Sequence, residues 1–140
     1  MSTSDGNTVE RIPDSFVEIL EKKAFGHLAT VGKNGRPQNS PVWVDHDDGK
    51  AVLVNTATGR QKERNLRENP YAMISITDPD DPYRYLAVRG RVSFSTDGAV
   101  EHIDALAKKY MGVDEYPNHG NETGDRIIIR IPAEEVVTRE

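Results

Sequence analysis

Residues 25–55, FGHLATVGKNGRPQNSPVWVDHDDGKAVLVN, decide the fold. Phe25 to Val31 reads as a strand, and Lys33-Asn34-Gly35 as the turn after it, because Asn-Gly takes the left-handed backbone that a tight hairpin requires. Gln38 to His46 is the returning strand, with Val42 and Val44 alternating against Trp43. Asp47-Asp48-Gly49 is a second turn, and Ala51 to Asn55 a third strand. Three antiparallel strands joined by tight turns begin a meander or a barrel.

Outward from this core the pattern alternates between sheet and short helices. Residues 1–11 are polar and read as a disordered tail ahead of one domain spanning 12–140. Pro13 and Asp14 open a helix over about 14–23, with Lys22 and Lys23 suiting its last turn. Residues 59–68 read as a basic helix capped by Thr56 or Thr58 and stopped by Asn69-Pro70. Tyr71 to Thr77 is a fourth strand, residues 78–82 a loop, and Tyr83 to Ser95 a long fifth strand bent or bulged at Gly90. Asp97 caps a helix over Ala99 to Met111, with Ile103, Leu106, Ala107 and Tyr110 on one face. Residues 112–125 read as irregular, and Arg126 to Val137 as a sixth strand broken near Pro132. The expectation is a mainly β domain with flanking helices.

Composition narrows the chemistry. The 140 residues carry a formal net charge of −5, which argues against a general nucleic-acid or anionic-membrane binder. There is no cysteine, so disulfides, thiolate zinc sites, iron–sulfur clusters and a cysteine nucleophile fall away. No apolar run approaches the length of a membrane helix and the first residues lack a signal-peptide core, which gives the expectation of a cytoplasmic protein.

Asn55-Thr56-Ala57-Thr58-Gly59-Arg60-Gln61-Lys62-Glu63-Arg64-Asn65-Leu66 is the most informative segment for function. A strand end, small hydroxyl residues, a glycine and closely spaced cations coincide there. Such a junction offers free backbone N–H groups and a favourable helix dipole to an anion, while Arg60 and Lys62 add direct charge. The same charges also suit a solvated helix face with i,i+4 pairing, and charge pattern alone leaves both readings open.

The order of "FGHLATVGKNGRPQNSPVWVD", "LVNTATGRQKERNLRENP", "YLAVRGRV" and a helix ending "KKYMG" resembles the pyridoxamine-phosphate-oxidase-like split-barrel superfamily, most of all its deazaflavin (coenzyme F420)-dependent reductases. The resemblance covers Phe16 to Val137 and implies a six-stranded antiparallel split β-barrel that dimerises, with cofactor sites at the subunit interface. It implies that Arg60 and Lys62 hold the cofactor phosphate, with Asn55, Thr56 and Asn65 nearby, and that Gln38, Ser40, Pro41, Val42 and Trp43 run along the ring. Coenzyme F420 is the implied cofactor and FMN the alternative, since one clamp serves either. Arg36, Lys33 and Arg64 are further cations that the longer acidic tail of the deazaflavin would use. The implied activity is hydride transfer to a small planar electron-poor organic molecule. Alternatives are an FMN-dependent oxidase or reductase of the same fold, or a cofactor-storing or haem-binding relative without turnover. The C-terminal "IIIRIPAEEVVTRE" lacks the Arg-Leu-x-Pro segment of true pyridoxamine-phosphate oxidase, which argues against that activity.

Other polar clusters read as structural. Asp45-His46-Asp47-Asp48 suits a hairpin turn better than a metal site, and residues 78–82 lack the glycine and closing glutamate of a calcium loop. His27 reads as a hydrogen-bonded residue inside the barrel, while His102 and His119 have no partner at motif spacing. Ser40 and Ser75 sit in no nucleophile elbow, and Tyr110 reads as core. Arg89 and Arg91 share a strand face, suited to acids across a dimer or to a cleft lining.

Overall fold

The computed structural model describes residues 3–4, 11–122 and 124–140, so most of the expected tail lies outside the described residues. Two antiparallel sheets face each other. The larger runs in the order β1 (Thr3–Ser4), β10 (Glu135–Arg139), β7 (Asp81–Arg91), β6 (Tyr71–Asp78), β2 (Phe25–Val31) and β3 (Pro37–Trp43). The smaller runs β4 (Asp45–His46), β5 (Ala51–Ala57), β9 (Arg126–Pro132) and β8 (Ser93–Ser95). Among the described residues three α-helices flank them: α1 (Asp14–Glu21), α2 (Gln61–Glu68) and α3 (Ala99–Met111).

The expected count of six strands is too small, and the reason is the device that closes the barrel. Three of the strands read from sequence are each bent, and their halves join different sheets. The bends fall at Val44 between β3 and β4, at Val92 between β7 and β8, and at Ala133 between β9 and β10, all three buried. A buried apolar residue at each corner lets the strand change sheet without exposing the core. Two corners press together: a Cβ on Gly90 would stand 2.3 Å from the Pro132 carbonyl oxygen. Gly90 is therefore a close-approach residue rather than a bulge, and the ladder runs through it opposite Ala72. The register irregularity comes instead between Thr77 and Asp78.

Local signals place the turns well. Asn34 and Gly35 both take positive φ (64° and 72°), as do Asp48 and Gly49 (49° and 69°), which is what Asn-Gly and Asp-Gly turns supply at least strain. The core between the sheets is aliphatic, with Leu28, Val52, Val54, Ile74, Ile76, Leu86, Ile129 and Ile131 at or near zero exposure.

Side-chain caps were read less well. Neither Thr56 nor Thr58 caps α2: Thr56 is buried, and the Thr58 hydroxyl accepts the Asp125 N–H at 3.0 Å. Glu63 does the work by reaching back to accept the Gly59 N–H at 2.9 Å, and the Arg67 Nε–H donates to its other oxygen at 2.7 Å. Asp97 does not cap α3, whose N-cap is Gly98. The first helix stops at Glu21, and Lys22 leaves it to bond Asp78 at 2.8 Å and Asp80 at 2.9 Å. Burial works against the Asp78 charge, but hydrogen bonds from Lys22, the Asp80 N–H and Arg84 prevail and hold the carboxyl at about 2.

His27 is exposed on the outer face of β2 between Pro41 and Ser75, not inside the barrel, because strand alternation gives the inner positions to Gly26 and Leu28. Arg89 pairs with Glu135 of its own sheet at 3.4 Å, and Arg91 lies over the Tyr71 ring. Among the described residues, no helix is long and apolar enough to cross a membrane.

Candidate functional site

The chain leaves β5 at Ala57, turns through Gly59 at φ 93°, and enters α2. This turn delivers Arg60 and Lys62 to one flank of the helix and Gln61, Arg64 and Asn65 to the other, and each flank borders a concavity.

On the first flank lies a cavity of about 330 Å³ lined by Pro41, Val42, Trp43, Asn55, Arg60, Lys62, Arg126 and the apolar side chains of α3. Its charged end is held by a continuous network. The Arg126 Nε–H donates to Asn55 Oδ1 at 2.9 Å, and Arg126 Nη1 and Arg60 Nη2 donate to the same Glu122 oxygen at 2.5 and 2.9 Å. The Asn55 amide nitrogen donates to the Ala99 carbonyl at 2.8 Å and lies 3.0 Å from His102 Nδ1. An amide NH2 only donates, so His102 Nδ1 accepts and its Nε2–H points to Asp45 at 3.2 Å. Burial opposes the Asp45 charge, yet the bonds from His102 and the His46 N–H keep the carboxyl below its ordinary value.

Lys62 has no hydrogen bond or ion pair among the described residues. Burial, and then the like charges of Arg60 and Arg126, push its ammonium below its ordinary value. Three cations therefore converge with one carboxylate among them, an arrangement that favours an added anion.

The other end of the cavity is aromatic. Trp43 stacks on Tyr110, with ring centres 5.2 Å apart and planes 5° from parallel, and meets Tyr116 edge-on at 6.2 Å. Tyr110 is fixed from behind, its hydroxyl donating to the Ala24 carbonyl at 2.6 Å and accepting the Val44 N–H at 3.0 Å. Tyr110 is half-buried and stands outside the aliphatic core, contrary to the expectation, because its hydroxyl is tied to the backbone at Ala24 and Val44 while its ring backs Trp43. Tyr116 is tied to α3 by its N–H on Asp104 (2.8 Å), which also holds His119 (2.6 Å), and lies under Arg126.

On the second flank, Gln38, Gln61 and Asn65 line a broader groove of about 670 Å³ with Lys33, Arg36, Arg64 and Arg67. Asn65 is buried, donating to Thr30 Oγ1 at 3.0 Å and accepting from Gln61 at 2.6 Å. Gly32 makes room for it, since a Cβ there would stand 2.7 Å from Asn65 Oδ1.

The residues expected at one site are thus divided. Pro41, Val42, Trp43, Asn55, Arg60 and Lys62 share the cavity, Gln38 and Asn65 belong to the groove, and Ser40 and Thr56 line neither. The Ser40 and Thr56 hydroxyls are buried without a hydrogen-bond partner among the described residues. Arg126, Glu122, Tyr116 and His102 were not read as site residues. A cation directly before the apolar run 127–129 was the available signal for Arg126. Nothing local marks the others.

Comparison with known proteins identifies the family. The sequence pattern of the pyridoxamine 5'-phosphate oxidase family matches residues 12–140. The chain belongs to that family. A solved structure of an F420 reductase shares 36% identity, covers 89% of this chain and 98% of its own, and superposes with a TM-score of 0.77. This places the chain, as its motifs implied, in the split-barrel superfamily on the side of the F420 reductases. A pyridoxine/pyridoxamine 5'-phosphate oxidase of Herminiimonas arsenicoxydans is 31% identical over 88 residues, 63% of this chain and 37% of that protein. A 5a,11a-dehydrotetracycline/5a,11a-dehydrooxytetracycline reductase of Streptomyces rimosus is 31% identical over 65 residues, 44% of this chain and 46% of that one. The chain spans less than half the length of these two relatives. The family is of the flavin and deazaflavin oxidoreductase type.

Proposed function

We propose that the protein is an F420-dependent oxidoreductase that passes a hydride between the deazaflavin ring and a planar, electron-poor organic molecule. The observation that carries this reading is the cavity with Arg60, Lys62 and Arg126 at one end and Trp43, Pro41 and Val42 at the other. The residues fit a planar cofactor with an anionic tail. Arg60 and Lys62 hold the phosphate, Arg126 supports them, and Trp43, braced by Tyr110, orients the ring. Tyr116 and Pro117 close one side and exclude water. When bound, the reduced deazaflavin supplies the hydride from its C5, so the protein needs to provide orientation and a dry site rather than an acid–base pair.

The groove across α2 favours the deazaflavin over FMN. Lys33, Arg36 and Arg64 there offer charge to more than one anionic group, as an acidic tail requires and a single phosphate does not. A second copy of the chain belongs to the same proposal. Phe25 and Met111, both lining the cavity, are 52% and 50% exposed, and a partner seated there deepens the cavity toward cofactor size.

The test is a titration of the full chain with F420 and, separately, with FMN, followed by fluorescence quenching at fixed salt. Micromolar or tighter F420 binding with weak FMN binding is expected. The reverse preference moves the protein to the flavin-dependent side of the family, and binding of neither removes the proposal.

A further inference from the structure

Among the described residues, Glu122 is the acid that pairs with two cations of the cavity's basic end, Arg60 and Arg126. One of its oxygens accepts from both Arg60 Nη2 and Arg126 Nη1. Its side chain is 10% exposed and that of Arg126 6%, so the pair is held away from solvent. A carboxylate oxygen taking one N–H from each of two guanidinium groups presents the same acceptor chemistry as a phosphate oxygen. We infer that Glu122 is an internal substitute for the ligand's anion: it occupies Arg60 and Arg126 in the ligand-free protein and is displaced when a phosphate group binds.

This inference rests on the reading of Arg60 and Lys62 as an anion clamp. Within that reading it explains why two of the three cations are partnered and Lys62 is not. Lys62 is the open position at which an arriving anion first gains an interaction, and Arg60 and Arg126 follow by exchanging one acceptor for another. The exchange keeps the buried Arg126 guanidinium from standing unpaired in the empty protein, where such charge is strongly destabilising. It also weakens ligand binding, because apparent affinity falls by the fraction of molecules in which the site is open. A phosphate oxygen can replace the Glu122 carboxylate because it offers both guanidinium groups an acceptor of the same kind.

The chain has one tryptophan, Trp43, whose ring meets Tyr116, which in turn lies under the Arg126 guanidinium. Trp43 emission therefore reports on the pairing of Arg126 without any enzymatic assay. The experiment is a titration of the full chain with inorganic phosphate at fixed ionic strength, read by that emission, for the wild type, Glu122→Gln and Lys62→Ala. Removal of a competitor of ion-pair strength is expected to tighten phosphate binding roughly fivefold in Glu122→Gln. Lys62→Ala is expected to weaken it. Weaker binding in Lys62→Ala with unchanged or weaker binding in Glu122→Gln overturns the role of Glu122 and leaves the clamp standing. Unchanged binding in Lys62→Ala removes the clamp itself, and the inference with it. Hydrogen exchange of the wild type supplies a variant-free measurement: faster exchange across residues 116–122 on adding phosphate is expected. Slower or unchanged exchange there overturns displacement.

Discussion

On one flank of α2, Arg60 and Lys62 meet Arg126 in a small cavity backed by stacked aromatic rings; on the other, Lys33, Arg36, Arg64 and Arg67 line a broad groove among amide side chains. Both flanks are cationic. They differ in how the charge is held. In the cavity Arg126 is tied to Asn55 and Glu122, and Lys62 is desolvated. In the groove Lys33 has only a 3.8 Å approach to the exposed Glu68, and Arg36 has no ion pair among the described residues. Burial of Arg126 and Lys62 turns the first set into a shaped site, whereas water screens Lys33 and Arg36 in the second. A cofactor clamp and an electrostatic landing surface are therefore made from the same residue types on opposite sides of one short helix.

The sharpest way to break this contrast is Arg126→Ala. It strips a buried partner from Glu122 and leaves Asn55 Oδ1 unsatisfied, so the expected loss of stability is about 3 kcal/mol, read from urea unfolding. A loss no larger than that of a surface arginine would erase the difference between the flanks. Next in size, Lys62→Ala and Arg60→Ala should each weaken cofactor binding by about 1.5–3 kcal/mol through loss of a charge-assisted bond. Unchanged affinity in both variants sinks the clamp.

Acid should loosen both flanks together. The Arg67 side chain and the Gly59 N–H hold the Glu63 carboxyl below its ordinary value of 4.5. A depressed carboxylate stabilises the fold fully above its unfolded value and loses that contribution as pH falls through the folded one. The urea midpoint should therefore drop as pH is lowered below about 4.5, and Glu63→Gln should flatten that part of the profile. A profile identical to that of the wild type removes Glu63 as the anchor of α2. The smallest effect belongs to the groove: Arg36→Ala and Arg64→Ala should each cost roughly 0.2–1 kcal/mol of F420 affinity at low salt and nothing near 0.5 M salt. A salt-independent loss would show that the groove is a shaped site after all.

Much of the fold was legible because its signals are local. Asn34-Gly35 and Asp48-Gly49 adopt the left-handed turns their residue types favour, and the strand over 25–31 and the helix over 99–111 begin and end where their periodicity says. Arg60 and Lys62 were legible because a strand end, a glycine and two cations lie within a few residues. What sequence did not show depends on contacts between distant positions. Gly90 is a glycine because Pro132 approaches it, and α2 is capped by Glu63 rather than Thr56 or Thr58 because Thr56 is buried in β5 and the Thr58 hydroxyl is taken by the Asp125 N–H.

The sequence by itself determined the alternation of strands and helices, the tight turns, the likeness to the split-barrel oxidoreductases and the basic strand-to-helix junction. Each depends on residues close together in the chain, whose backbone preferences act before any tertiary contact forms. Only the tertiary structure decided that Val44, Val92 and Ala133 are corners between two sheets, that Asn65 and Gln38 face away from Lys62, and that Arg126 and Glu122 complete the charged end of the cavity. Those outcomes depend on which buried surfaces meet, and burial, not residue type, sets what a charge there can do.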